Sequence, residues 1–95
     1  MTGNKNRKKR RQLRRCITEL VNLAREIVPT VEVRELPPYE DEDVVLEIRV
    51  PEGFEEQVEE ALSERRFEML MNEGVFISLQ VIPDAELTAV ERREK

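Results

Sequence analysis

Hydrophobic positions recur along this chain with two different periods, and the change of period marks the elements. Leu13, Cys16, Ile17, Leu20, Val21, Leu23, Ala24, Ile27 and Val28 recur at spacings of three and four, the single apolar stripe of an amphipathic helix. Pro29 stops it, because the residue before a proline is pushed out of helical geometry. The pattern predicts a helix over about residues 8–27. Val31, Val33 and Leu36 then predict a short strand, closed by Pro37 and Pro38, neither of which can donate to a ladder.

From residue 44 the period becomes two. Val44, Leu46, Ile48 and Val50 alternate with Val45, Glu47 and Arg49, and Val75, Ile77, Leu79 and Val81 alternate with Phe76, Ser78, Gln80 and Ile82. Each run is a strand with one strongly apolar face. Its other face is mixed, with Glu32, Arg34, Glu47, Arg49, Ser78 and Gln80 available to water. Between these strands lies a second helix, opened by Pro51 and closed by Gly74, with Glu52, Glu55 and Glu56 at the end its dipole favours for negative charge. Asp84 is a plausible N-cap for a short last helix with a weak apolar pair, Leu87 and Val90.

The predicted order is therefore α-β-β-α-β. A short loop after the first strand implies an antiparallel hairpin, and a helical connection between the second and third implies a parallel, right-handed βαβ crossover. The fold class is α+β: a three-stranded mixed sheet with two helices on one face. Residues 1–12 read as a flexible basic arm, 13–83 as one α+β domain, and 84–95 as a short helix or frayed tail.

The second helix holds a conflict. At about 100° per residue, Phe54, Val58, Ala61, Leu62 and Met69 fall on one side, while Phe67 and Met71 fall nearly opposite. Either the helix breaks, bends or exposes apolar surface near residues 63–66, or Phe67 and Met71 meet a partner, most simply a second copy. A break gives the order helix, strand, strand, helix, helix, strand. That order is similar to a type II KH domain, an RNA-binding fold, and VFISLQVIPDAEL resembles the end of such domains. The family clamps nucleic acid with a GXXG loop between its two central helices. This chain has SERRF there, with no glycine, so no residue takes over that binding role.

Composition narrows the function. Ninety-five residues make one domain at most, able to bury roughly 60–65% of its unfolded surface. There is no histidine and one cysteine. That removes the commonest general base and metal ligand and rules out an intramolecular disulfide. The expectation is a non-enzymatic, cytoplasmic protein with no membrane span, cofactor or metal. Cys16, inside the first helix's stripe, reads as a small buried hydrophobe. The acids of residues 40–43 lack the spacing of a calcium loop and read as a solvated turn, and Glu55, Glu56, Glu59, Glu60 and Glu64 as a solvated helix face.

Charge is unevenly placed. Residues 1–15 hold Lys5, Arg7, Lys8, Lys9, Arg10, Arg11, Arg14 and Arg15 and no acid, a net +8. The other 80 residues hold the remaining 8 basic and all 21 acidic side chains, a net −13. Such a cationic tract suits phosphate contacts and counterion release, and it opposes the dipole of the helix it enters. It points to nucleic acid, another polyanion or an acidic protein surface. A solvated tail, a localisation signal, or an arm docked on the acidic body of its own or a neighbouring chain are the other readings. The alternative function is homo-oligomerisation through Phe67, Met71 and Phe76 or the open sheet face.

Overall fold

A computed structural model describes the backbone of residues 2–87 and the side chains of residues 8–87. Helix α1 (Thr2–Ile27) turns Cys16, Leu20 and Ala24 inward, and Val28 follows just after it, none more than 1% exposed. It begins earlier than the predicted start near residue 8. The apolar stripe does not reach that far, but Lys, Arg and Gln are strong helix formers, so the basic run prolongs a helix whose packing begins at Leu13. At about 1.5 Å per residue α1 is about 39 Å long, against short dimensions of 22 and 21 Å for a molecule 56 Å in its longest extent.

Strands β1 (Glu32–Leu36), β2 (Val44–Val50) and β3 (Ile77–Pro83) and helix α2 (Glu55–Glu73) complete the predicted α-β-β-α-β order. The sheet order is β1-β2-β3, with β1 antiparallel and β3 parallel to the central strand. Val33 lies opposite Ile48, and Leu46 and Ile48 lie beside Leu79 and Val81. These residues form the sheet side of one core, which Leu20, Ala24, Val58, Leu62 and Met69 of the two helices complete. Both helices cover the same face. Arg65 fixes them to each other, donating to Glu19 of α1 at 2.6 Å and to Glu68 at 2.7 Å.

Helix α2 is continuous across residues 63–66. The break considered above does not occur, so the order that resembled a KH domain is not formed. The conflict is settled by exposure: Val58, Leu62 and Met69 are buried, whereas Phe67 is 58% and Met71 66% exposed. Phe54 is the residue before the helix, not a member of it. Gly74 ends α2 in the left-handed conformation (φ +71°), its N–H donating to Leu70 O at 3.1 Å. Asp84 closes a turn, accepting from the Glu86 N–H at 3.0 Å. Most of the expected final helix, residues 88–95, lies outside the described residues.

Candidate functional site

The basic stretch divides into cations used by the fold and cations left over. Lys9 donates to Gly74 O at 2.9 Å and sits 3.5 Å from Asp43. Arg14 makes a two-bonded pair with Glu35 of β1, both distances 2.8 Å. Arg15 reaches Glu73 at the end of α2 at 2.8 Å. Two of these contacts reach the C-terminal end of α2 and one reaches β1, and together they hold α1 against the body. The Arg14 pair holds the Glu35 carboxyl below the usual carboxylate range, chiefly through the guanidinium hydrogen bonds. No ion pair or hydrogen bond joins Lys8, Arg10 or Arg11 to another described residue, and all three are exposed. Lys8 and Arg11, with Gln12 and Arg15, line an open groove of about 340 Å³ on α1. The side chains of Lys5 and Arg7 lie outside the described residues, though their backbone continues the helix.

The sheet face away from the helices is less open than its composition implies. Val45 is fully buried there and Glu47 is only 7% exposed. Cross-strand register explains the arrangement. Glu47, on the central strand, lies opposite Arg34 on one side and beside Gln80 on the other. Arg34 donates to Glu47 Oε1 from Nε at 3.0 Å and from Nη2 at 2.8 Å. Arg49 donates to Glu47 Oε2 at 3.2 Å and to Asp84 at 3.4 Å. The result is a charge relay Arg34–Glu47–Arg49–Asp84 across the face. Arg34, and then Arg49, hold the Glu47 carboxyl below its ordinary range against the opposing effect of desolvation. The concavity here is about 90 Å³, well below the roughly 300–1,000 Å³ of small-molecule sites. Its two arginines are neutralised by carboxylates, so the relay organises the sheet and leaves little net charge for an anion.

Of the other candidates, Phe76 is half-buried just before β3, its N–H donating to Asp43 Oδ2 at 2.9 Å while its carbonyl accepts from the Asp43 N–H at 2.7 Å. Asp43 thus prolongs the β2–β3 pairing, a role hidden within an acidic run that reads as solvated. Phe67 and Met71 stand one turn apart on the outer side of α2, both exposed, whereas Phe76 lies just before β3. Cys16 is 1% exposed, with Sγ 3.6 Å from Glu73 Oε1. Burial first, and the Glu73 charge second, push its thiol pKa up, which opposes nucleophilic use. No group of three His, Cys, Asp or Glu suited to a metal ion occurs among the described residues. None of the described helices is long and apolar enough to cross a membrane.

No protein-family model matches the chain, and neither a curated protein nor a solved structure matches it. The functional reading therefore rests on the geometry of the chain itself.

Proposed function

We propose that this protein is a small non-enzymatic, cytoplasmic binding module whose α1 N-terminal end contacts the phosphates of nucleic acid or a similar polyanion. The supporting observation is the division of labour along α1. Lys9, Arg14 and Arg15 anchor the helix on the acidic body, while exposed Lys8, Arg10 and Arg11 are committed to nothing described. Lys5 and Arg7 continue that set by sequence. Cations already arrayed on a helix, with no partner among the described residues, neutralise phosphates with less ordering cost than a loose tail. The acidic body repels a polyanion, so the contact is confined to this end.

Fluorescence anisotropy with labelled RNA and DNA oligonucleotides tests it. The expected log–log salt slope is about −0.7 to −0.9 for each phosphate contact. Replacing Lys8, Arg10 and Arg11 by Gln should flatten that slope by roughly two to three units without unfolding the protein. Salt-insensitive binding, or none at low salt, sinks the proposal.

A second reading is self-association. It is favoured by Phe67 and Met71, which remain exposed on an unbroken helix where a bend would have offered another account of them.

A further inference from the structure

The two free edges of the sheet are built differently. β1 carries Glu32, Arg34 and Glu35 and is followed by Pro37 and Pro38, the charged and proline-ended kind of edge that resists pairing with another strand. β3 has no charged residue: the uncharged run extends from Val75 through Pro83, and the proline stands only at its last position, so the contrast with β1 is one of charge. Phe76 and Asp84 direct backbone groups toward β2, as the bonds from Asp43 N–H to Phe76 O and from Asp84 N–H to Val50 O show. Backbone groups alternate sides along a strand, so Ile77, Leu79 and Val81 turn theirs outward. Among the described residues, Arg66 Nη1 donates to Ile77 O at 3.4 Å there. Arg66 also places the outer flank of α2 beside this edge, and the same flank continues round the helix to Phe67 and Met71.

Charge is polarised along the same direction. Contacts from Lys9 to Gly74, Arg15 to Glu73 and Glu19 to Arg65 show that α1 and α2 run antiparallel. Lys8 and Arg11, which pair with no described residue, therefore lie at the C-terminal end of α2. Its N-terminal half carries Glu56, Glu59 and Glu60, which line an open surface with Ser63. Lys8 and Arg11 of α1 thus bring cations to the end of α2 from which β3 departs, and Glu56, Glu59 and Glu60 place anions at its other end.

We infer that the β3 edge, with the adjoining outer flank of α2, is the docking surface for a second copy of this chain, paired antiparallel about a two-fold axis. This rests on the self-association reading and adds the surface and its symmetry. Antiparallel pairing brings the anionic end of each copy to the cationic end of the other, whereas parallel pairing brings like charges together. It satisfies the outward amides of Ile77, Leu79 and Val81, joins two three-stranded sheets into one, and covers Phe67 and Met71 with the partner's α2. An acidic body of net −13 repels copies of itself elsewhere, and the uncharged strand offers a line of approach without that cost.

Sedimentation equilibrium of the full chain across a wide concentration range, with amide exchange, tests the inference. The unmodified chain should dimerise, and the amides of Leu79 and Val81 should exchange more slowly as concentration rises. Gln80→Lys on the strand and Phe67→Lys on the helix change exposed or half-exposed positions, so the monomer stays folded, which circular dichroism checks. Each should weaken the dimer at least tenfold. Reversing the acidic end (Glu56, Glu59 and Glu60 to Lys) or the basic end (Lys8 and Arg11 to Glu) should weaken self-association, and mixing the two variants should restore a heterodimer. A strict monomer overturns both the surface and the self-association reading. A dimer indifferent to Gln80→Lys, or no recovery on mixing, overturns the surface while leaving self-association standing.

Discussion

Glu47 shows how a single residue can change meaning between sequence and fold. In the chain it is one of several polar residues alternating with the apolar face of a strand. In the fold it is the buried hinge of a relay, held by Arg34 and Arg49. Its carboxyl pKa is lowered in the folded state, first by the Arg34 hydrogen bonds. The stability it contributes is therefore present above the ordinary carboxylate pKa of about 4.3 and disappears as pH falls through the lower folded value. Glu47→Gln should be less stable than the parent near neutral pH, and the difference should vanish in strong acid, as chemical denaturation at a series of pH values will show. Cys16 behaves in the opposite sense. Its raised thiol pKa favours the neutral form in the fold, so Cys16 should resist alkylation in the native protein near neutral pH and react at an ordinary thiol rate once the chain is unfolded. A native Cys16 that alkylates at the rate of a free thiol would contradict its burial.

At the scale of elements, α2 is the instructive case. Its sequence places apolar residues on two sides, and only packing decides which side is the core. Leu62 is fully buried and Phe67 is not. Leu62→Ala should cost about 2–5 kcal/mol, while Phe67→Ala in the monomer should change stability by no more than about 0.5 kcal/mol. Urea denaturation of both variants at low protein concentration measures the contrast. The end of α2 makes a second prediction. A Cβ at Gly74 meets nothing within 4 Å, so space is not the obstacle. The backbone at φ +71° is. Gly74→Ala should cost about 1–2 kcal/mol through left-handed strain alone, with no change in the folded spectrum.

At the scale of the whole molecule, the dominant feature is the separation of a cationic helix end from an anionic body. Part of that separation is cancelled internally, since Arg14 and Arg15 are paired with Glu35 and Glu73. Arg14→Gln should therefore act on stability and leave the salt dependence of oligonucleotide binding nearly unchanged, whereas Arg11→Gln should do the reverse. Thermal unfolding and anisotropy on the same two variants separate the roles. The pair is surface-exposed, so the stability loss is small.

The elements and their order were legible in the chain because period two and a three-to-four spacing are local signatures of burial on one side. Val44, Leu46, Ile48 and Val50 announce a strand, and Leu13 to Ile27 a helix, whatever lies around them. The start of α1 was not legible from that stripe, because helix propensity carries the basic run onward without burying anything. The candidate site was legible only as a list of cations. Which of them are free depended on carboxylates far along the chain, Glu35, Asp43 and Glu73, arriving beside Arg14, Lys9 and Arg15. Burial of Glu47, the exposure of Phe67 and Met71, and the uncharged free edge of β3 are likewise products of tertiary structure. Each depends on which strands become neighbours and which helix side meets the sheet, and those contacts join residues that local periodicity cannot relate.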